Sequence, residues 1–209
     1  MTRLILIRHG NTFEPEDKIV WAGARTDLPL AKKGLQQAEE MADLLMRENA
    51  RIDKVLAGPL IRTRQHADII ASAIRYGRAV EIDDALREID YGAWEALSTE
   101  EIEALGGSGE LAAWDTDATW PKAPGWSPEP SQIQAQVLDL LARLQNDDDT
   151  STAAIITSNG ILRFFANALA NPPAQMKVRT GHYCLIEHRA GQWSQSGWNL
   201  SPEQSRDTA

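Results

Sequence analysis

The sequence predicts an α/β fold: a three-layer sandwich with a mostly parallel central sheet, helices on both faces and a small inserted cap. Three observations predict it. Continuous apolar runs at Leu4-Ile5-Leu6-Ile7 and from Ala153 to Thr157 read as strands buried on both faces. Segments with helical periodicity alternate with such runs, the pattern of a parallel sheet with helices packed on it. Between residues 89 and 131 the alternation stops and glycine, proline and tryptophan take over.

The elements follow in order. After the first strand, Leu35, Ala38, Met41, Ala42 and Leu45 recur at helical spacing between Ala31 and Asn49. Ile52 to Ala57 reads as a strand ended by Gly58-Pro59, and Leu60 to Tyr76 as a helix carrying Arg62 and Arg64 near its start. A short strand fits Ala79 to Ile82. In the cap, a helix starts at Ser98 with Glu101 completing a capping box. Gly106-Gly107-Ser108-Gly109 breaks the chain, and four prolines lie from Pro121 to Pro130. Ser131 to Asn146 reads as a helix with Ser131 and Gln134 as its capping pair. Ser158-Asn159-Gly160 turns the next strand into a helix from Ile161 to Ala170. His182 to His188 and Gln192 to Trp198 pair as a hairpin around Ala190-Gly191. The 209 residues fit one domain over 1–199, with the cap inserted at about 89–131 and a flexible tail at 200–209.

Composition narrows the function classes. The net charge is −9 and the pI about 4.9. Such a surface attracts neither nucleic acid nor anionic membrane, so phosphate binding must rest on a few local arginines. The single cysteine, Cys184, excludes an internal disulfide. The first apolar run stops at Arg8, too short for a signal-peptide core or a membrane span, so a cytoplasmic location is expected. The partner expected is a small phosphorylated substrate; a homodimer is compatible with the sequence.

Polar signatures close the buried strands: Arg8-His9-Gly10 the first, Gly58-Pro59 with Arg62 the second, Ser158-Asn159-Gly160 the third. If these strands are parallel, the signatures converge on one sheet edge, where open α/β sheets place their ligand crevice. Arginine offers a planar fork of donors matched to phosphate oxygens. A neutral imidazole is a nucleophile near pH 7. Gly10 is read as letting a ligand approach the backbone. Glu88 could give a proton to a leaving oxygen.

At these residues the chain resembles the histidine phosphatase superfamily, which includes cofactor-dependent phosphoglycerate mutases. The resemblance runs over most of residues 3 to 199. It comprises Leu6-Ile7-Arg8-His9-Gly10-Asn11-Thr12; Arg25-Thr26-Asp27-Leu28-Pro29-Leu30 with Gly34 and Gln37-Ala38; and Pro59-Leu60-Ile61-Arg62-Thr63-Arg64-Gln65. Leu86-Arg87-Glu88 with Gly92-Ala93-Trp94-Glu95, Ser158-Asn159-Gly160 with Arg163, and Trp198-Asn199 complete it. It implies that His9 is the phosphorylated nucleophile and Glu88 the acid, then the base. Arg8, Asn11, Arg62 and Asn159 are the phosphate-binding candidates. The two guanidiniums would supply the positive charge, so neither metal nor cofactor is implied. The chain departs from the family at Asn159, where a second histidine is usual, and at Pro124-Gly125-Trp126-Ser127, which lacks the family's acid. The resemblance therefore implies a phosphomonoester hydrolase slowed by Asn159. The alternatives are a phospho-ligand-binding domain with little or no activity and, ranked last, a phosphoglycerate mutase-type phosphotransferase. Between Ile89 and Pro130 the only base is Lys122. That suits a monophosphate with an apolar or aromatic body better than a multianionic substrate, the more so if Glu110, Asp115 and Asp117 line the mouth.

Other residues have plainer readings. Arg64, His66 and His188 are taken as surface groups, Glu95 as a structural partner and Asp147-Asp148-Asp149 as a solvated loop. His182 and Cys184 share a strand face and are read as packing, although His182 could approach the pocket; two such residues do not make a zinc site. Trp114, Trp120 and Trp126 either cover the core or face the substrate.

Overall fold

A computed structural model describes residues 1–122, 125–147 and 150–203. Pro124, Asp148, Asp149 and the tail from residue 204 onward lie outside the described residues. The strands are β1 (Thr2–Arg8), β2 (Lys54–Ala57), β3 (Glu81–Ile82), β4 (Thr152–Thr157), β5 (Tyr183–Arg189) and β6 (Gln192–Leu200). They form one sheet in the order β3-β2-β4-β1-β5-β6. β1, β2, β3 and β4 are parallel, with Leu6 beside Ile155 and Leu56 beside Ile155 on its other flank. β5 runs antiparallel to both β1 and β6. The last strand reaches Leu200, one residue into the expected tail.

The apolar runs work as expected of strands covered twice. Leu4 and Leu6 of β1, Leu56 of β2 and Ile155 of β4 belong to one core layer. Ile5, Ile7, Val55, Ala57, Ala154 and Ile156 belong to the other. Each fully buried leucine or isoleucine contributes roughly 1.5–3 kcal/mol, so the two layers together hold the sheet between its helices.

Helices α1 (Lys32–Arg47) and α2 (Ile61–Ala73) cover the second layer with Met41, Ala42, Leu45 and Ile70. α1 buries the expected stripe, except that Leu35 at its margin is exposed and Gly34 faces inward instead. The cap carries α3 (Thr99–Ala104) and α4 (Ser108–Asp117). α5 (Pro130–Gln145) and α6 (Asn159–Asn167) cover the first layer with Val137, Leu140, Leu141, Ile161 and Phe165. No helix among the described residues is long and apolar enough to cross a membrane.

Local signals set most boundaries. Ser98 and Glu101 form the capping box at α3 as expected. The start of α5 differs from the sequence reading. Glu129 caps it with Gln132, and Pro130 fills the first turn, where its missing N–H costs nothing. Gln134 is thereby free to reach the Phe164 carbonyl.

Backbone bonds between Asp90 and Ser127 close the base of the cap. Inside it, Trp126 sits among Trp21, Tyr91, Trp94, Trp114 and Trp120, with ring centroids 4.8–5.9 Å away. Trp126 is thus core. Trp114 does both jobs, packing on Trp126 and lining the cavity described next. Trp120 packs against Trp114 and Phe164.

Candidate active site

β1 and β4 are neighbours, but the chain leaves β1 toward α1 on one face and leaves β4 toward α6 on the other. This divergence opens a crevice at their C-terminal ends. A cavity of about 360 Å³ lies there. Arg8, His9, Asn11, Arg62, Glu88 and Asn159 all line it, so every candidate read from the sequence reaches one place.

His9 directly follows β1 and is buried. Its Nδ1 lies 2.7 Å from the Gly10 carbonyl oxygen, which can only accept, so Nδ1 carries the proton and the Nε2 lone pair is left available. Burial, then Arg62 and Arg8, hold its pKa well below the ordinary histidine range. The ring is therefore neutral at pH 7. Gly10 has a different role from the one expected. A Cβ there would lie 2.3 Å from the Gly34 carbonyl oxygen, so the glycine lets α1 pack against the strand end rather than admitting a ligand.

Arg8 donates through Nη1 to the Val178 carbonyl at 2.5 Å. Asn159 accepts the Val178 N–H on Oδ1 at 2.9 Å. One residue thus sets both side chains, and the Asn159 amide nitrogen is the group left for a ligand. Arg62 is fully buried at the start of α2. Three of its five N–H groups go to the carbonyls of Ala22, Gly23 and Thr26, which shape the long loop between β1 and α1. Its Nε and one Nη1 hydrogen remain. Asn11 gives its side-chain amide to the Phe13 carbonyl at 2.6 Å, so its contribution is partly committed to that loop.

Glu88 is buried, and its carboxylate accepts from Ile89 N at 3.0 Å and Gly160 N at 3.4 Å. A Cβ on Gly160 would lie 2.2 Å from Glu88 Oε1, so that glycine is what admits the carboxylate to the start of α6. Burial raises the Glu88 pKa, against the pull of these N–H groups and of Arg62. Burial, then the neighbouring Glu88 carboxylate, push the pKa of the Tyr91 hydroxyl well up.

The remaining readings divide. Arg64 is exposed as expected. Glu95 is a structural partner, taking the N–H groups of Gly23, Arg25 and Tyr91. Arg163 lies behind the cavity wall, its guanidinium 4.5 Å from the Trp114 ring centroid. His182 does not line the cavity; its Nδ1 is 3.0 Å from the Asn199 carbonyl, and Cys184 is buried under Asn199 N. Of the three acids considered for the mouth, only Asp115 lines it. The sequence reading missed Trp21, Tyr91 and Lys177. Tyr91 stood three residues from Glu88, but nothing local marked Lys177.

His66 is a correction. It is fully buried, and its Nδ1 accepts the Gly10 N–H at 3.1 Å. The helix face that was read as outward instead meets the strand end. Burial lowers its pKa from 6.5 to about 3. The unfolded chain therefore binds a proton here that the folded chain refuses between about pH 3 and 6.5. This contribution is fully present above pH 6.5 and is lost as pH falls. Going from pH 7 to pH 5 costs about 2 kcal/mol at this residue. His66→Gln keeps an acceptor for Gly10 and lacks the titration. Urea denaturation at the two pH values should show the variant losing about 2 kcal/mol less than wild type; equal losses would contradict the assignment.

An open sheet that gathers two guanidiniums, a neutral imidazole and a buried acid at its switch point is the build of an anion-handling α/β protein. Residues 4–201 match the family model of the histidine phosphatase superfamily (branch 1), and the chain belongs to that family. It is 28% identical over 194 residues to sedoheptulose 1,7-bisphosphatase of Saccharomyces cerevisiae, covering 85% of this chain and 71% of that one. It is 24% identical to glucosyl-3-phosphoglycerate phosphatase of Mycobacterium tuberculosis, over 98% and 97% of the two chains. The fold is shared with the mycobacterial glucosyl-3-phosphoglycerate phosphatase solved with VO3, at TM-score 0.79 and 24% identity over 96% and 100% of the chains. These relatives are phosphatases, which supports phosphatase activity here.

Proposed function

We propose that the chain is a phosphomonoester hydrolase acting through a phosphohistidine on His9. The single observation that carries this reading is the 2.7 Å approach of His9 Nδ1 to the Gly10 carbonyl oxygen, which leaves Nε2 as the nucleophile. Nδ1–H is held by the Gly10 carbonyl while the ring lines a cavity shared with Arg8, Arg62 and Glu88. His9 Nε2 attacks phosphorus in line, and the P–N bond forms as the ester P–O bond breaks. Protonated Glu88 gives its proton to the leaving oxygen. Arg8 and Arg62 stabilise the equatorial oxygens, where charge spreads, with no metal in the step. Glu88, now a carboxylate, takes a proton from water; the water oxygen attacks phosphorus, the P–N bond breaks and phosphate leaves. The Gly10 carbonyl favours the imidazolium of the intermediate through its bond to Nδ1–H. Rapid mixing with p-nitrophenyl phosphate and quenching in base should trap an acid-labile phosphoenzyme; turnover without one would count against the mechanism.

The body of the substrate faces Trp21, Tyr91, Trp114, Phe13, Ile19 and Val20, which favours an apolar or aromatic monophosphate. A substrate panel in which phosphoglycerate gives the highest kcat/KM would reverse this preference.

Asn159 makes the enzyme slow. Its amide gives a neutral hydrogen bond where a histidinium would give a charged one, a deficit of about 1–1.5 kcal/mol, or about tenfold in rate. Asn159→His should raise turnover about tenfold and Asn159→Ala should lower it further. The same residue favours a second reading, a phospho-ligand-binding domain without turnover. That reading takes over if wild type is no faster than His9→Ala.

A further inference from the structure

The mouth of the cavity holds an ion pair that the phosphoryl chemistry does not use. Lys177 Nζ lies 3.1 Å from Oδ1 and 3.0 Å from Oδ2 of Asp115, so both carboxylate oxygens face the ammonium. Asp115 comes from α4 in the cap and Lys177 from the segment between α6 and β5; both line the cavity. Behind the pair, Arg163 Nη2 stands 3.7 Å from Asp115 Oδ1 and has no hydrogen-bond partner.

A free lysine at the open end of a phosphate pocket would reward a second anionic group on the substrate. Here the ammonium is already taken. Asp115 offers it two oxygens, as the carboxylate of a ligand would, and a ligand that displaced Asp115 would have to outcompete a tethered group. Arg163 adds to the tether, because moving Asp115 away would strip a buried guanidinium of its nearest anion. The cavity that the pair shares with His9 is also lined by Trp21, Tyr91 and Trp114.

Resting on the phosphatase reading above, we propose that Asp115 is a built-in stand-in for a substrate carboxylate. It occupies Lys177 and so restricts the site to phosphomonoesters whose body carries no second negative charge. The competing account is a plain strap between cap and core. A strap would affect all ligands alike, whereas a stand-in acts on the second charge alone.

Two phosphonates separate these accounts, benzylphosphonate and 4-carboxybenzylphosphonate, which differ by one carboxylate and are not hydrolysed. Their dissociation constants are measured by titration calorimetry for wild type, Asp115→Asn and the Asp115→Asn/Lys177→Met double variant. Wild type should bind benzylphosphonate the more tightly. Asp115→Asn should shift the ratio of the two constants toward the carboxylate ligand roughly two- to fivefold, since both ions are about half exposed at 53% and 55%. The double variant should lose that gain. An unchanged ratio in Asp115→Asn, or equal shifts for both ligands, overturns the proposal. The readout does not depend on turnover. Expected ratios in a protein that leaves p-nitrophenyl phosphate intact would sink the phosphatase reading and keep the Asp115 assignment. Failure of wild type to bind either phosphonate would sink both.

Discussion

His9→Ala should lower turnover of p-nitrophenyl phosphate about 10⁴-fold or more, because it removes the atom that forms the covalent intermediate. Neither the neighbouring tyrosine nor the two asparagines that line the cavity can stand in for it. The Tyr91 hydroxyl is pushed well above its ordinary pKa by burial and by Glu88, so it stays protonated. Asn11 and Asn159 carry amides, which are poor nucleophiles. Anion binding should survive, because Arg8 and Arg62 are held by backbone carbonyls that do not involve the His9 ring. The variant should therefore bind vanadate or phosphate while failing to form a phosphoenzyme. Thermal unfolding checks that the protein is intact. A variant keeping a tenth or more of the wild-type rate would move the nucleophile elsewhere and end the phosphohistidine mechanism.

That His9 and its neighbours were legible in the sequence follows from what local sequence encodes. Leu4 to Ile7 and Ala153 to Thr157 announce strands covered on both faces, and parallel strands bring their ends to one edge. The sequence alone therefore groups Arg8, His9 and Asn159. The Ser98–Glu101 box was legible because both partners lie within one turn. Where two local signals competed, the reading failed: Ser131 with Gln134 resembled a cap, but Pro130 moved the helix start to Glu129. Contacts across the chain left no local trace. Gly10 reads locally as a ligand glycine, yet Gly34 lies against it. His66 lost its expected exposure because α2 turns that face toward Gly10. Lys177 lies in a segment without periodicity, and counting bases inside the cap alone could not find it. The cap itself is poor in positive charge, and the lysine that reaches the cavity from outside it is paired with Asp115.

Glu88→Gln should separate substrates by their leaving groups. p-Nitrophenolate is a stable anion near neutral pH and departs without a proton, whereas an alkoxide needs one. Loss of the general acid should therefore slow phosphorylation by an alkyl phosphate about 10²–10⁴-fold and phosphorylation by p-nitrophenyl phosphate far less. The second half-reaction, however, needs Glu88 as base whichever ester was used. With p-nitrophenyl phosphate the variant should thus release a burst of about one p-nitrophenolate per site and then stall as phosphoenzyme. With the alkyl ester it should accumulate nothing, because the first step limits. The pH dependence carries a matching sign. Burial raises the Glu88 pKa, and only the protonated form serves the first step. For wild type, kcat/KM on the alkyl ester should fall as pH rises through that pKa, while kcat/KM on the nitrophenyl ester should not. In Glu88→Gln the falling limb should vanish. Glutamine keeps a carbonyl oxygen for one of the two N–H groups, of Ile89 and Gly160, that the carboxylate now accepts, and thermal unfolding checks that the fold is kept for the comparison. Equal losses on both esters, with no burst, would remove Glu88 from proton transfer and leave it as a group that only positions α6.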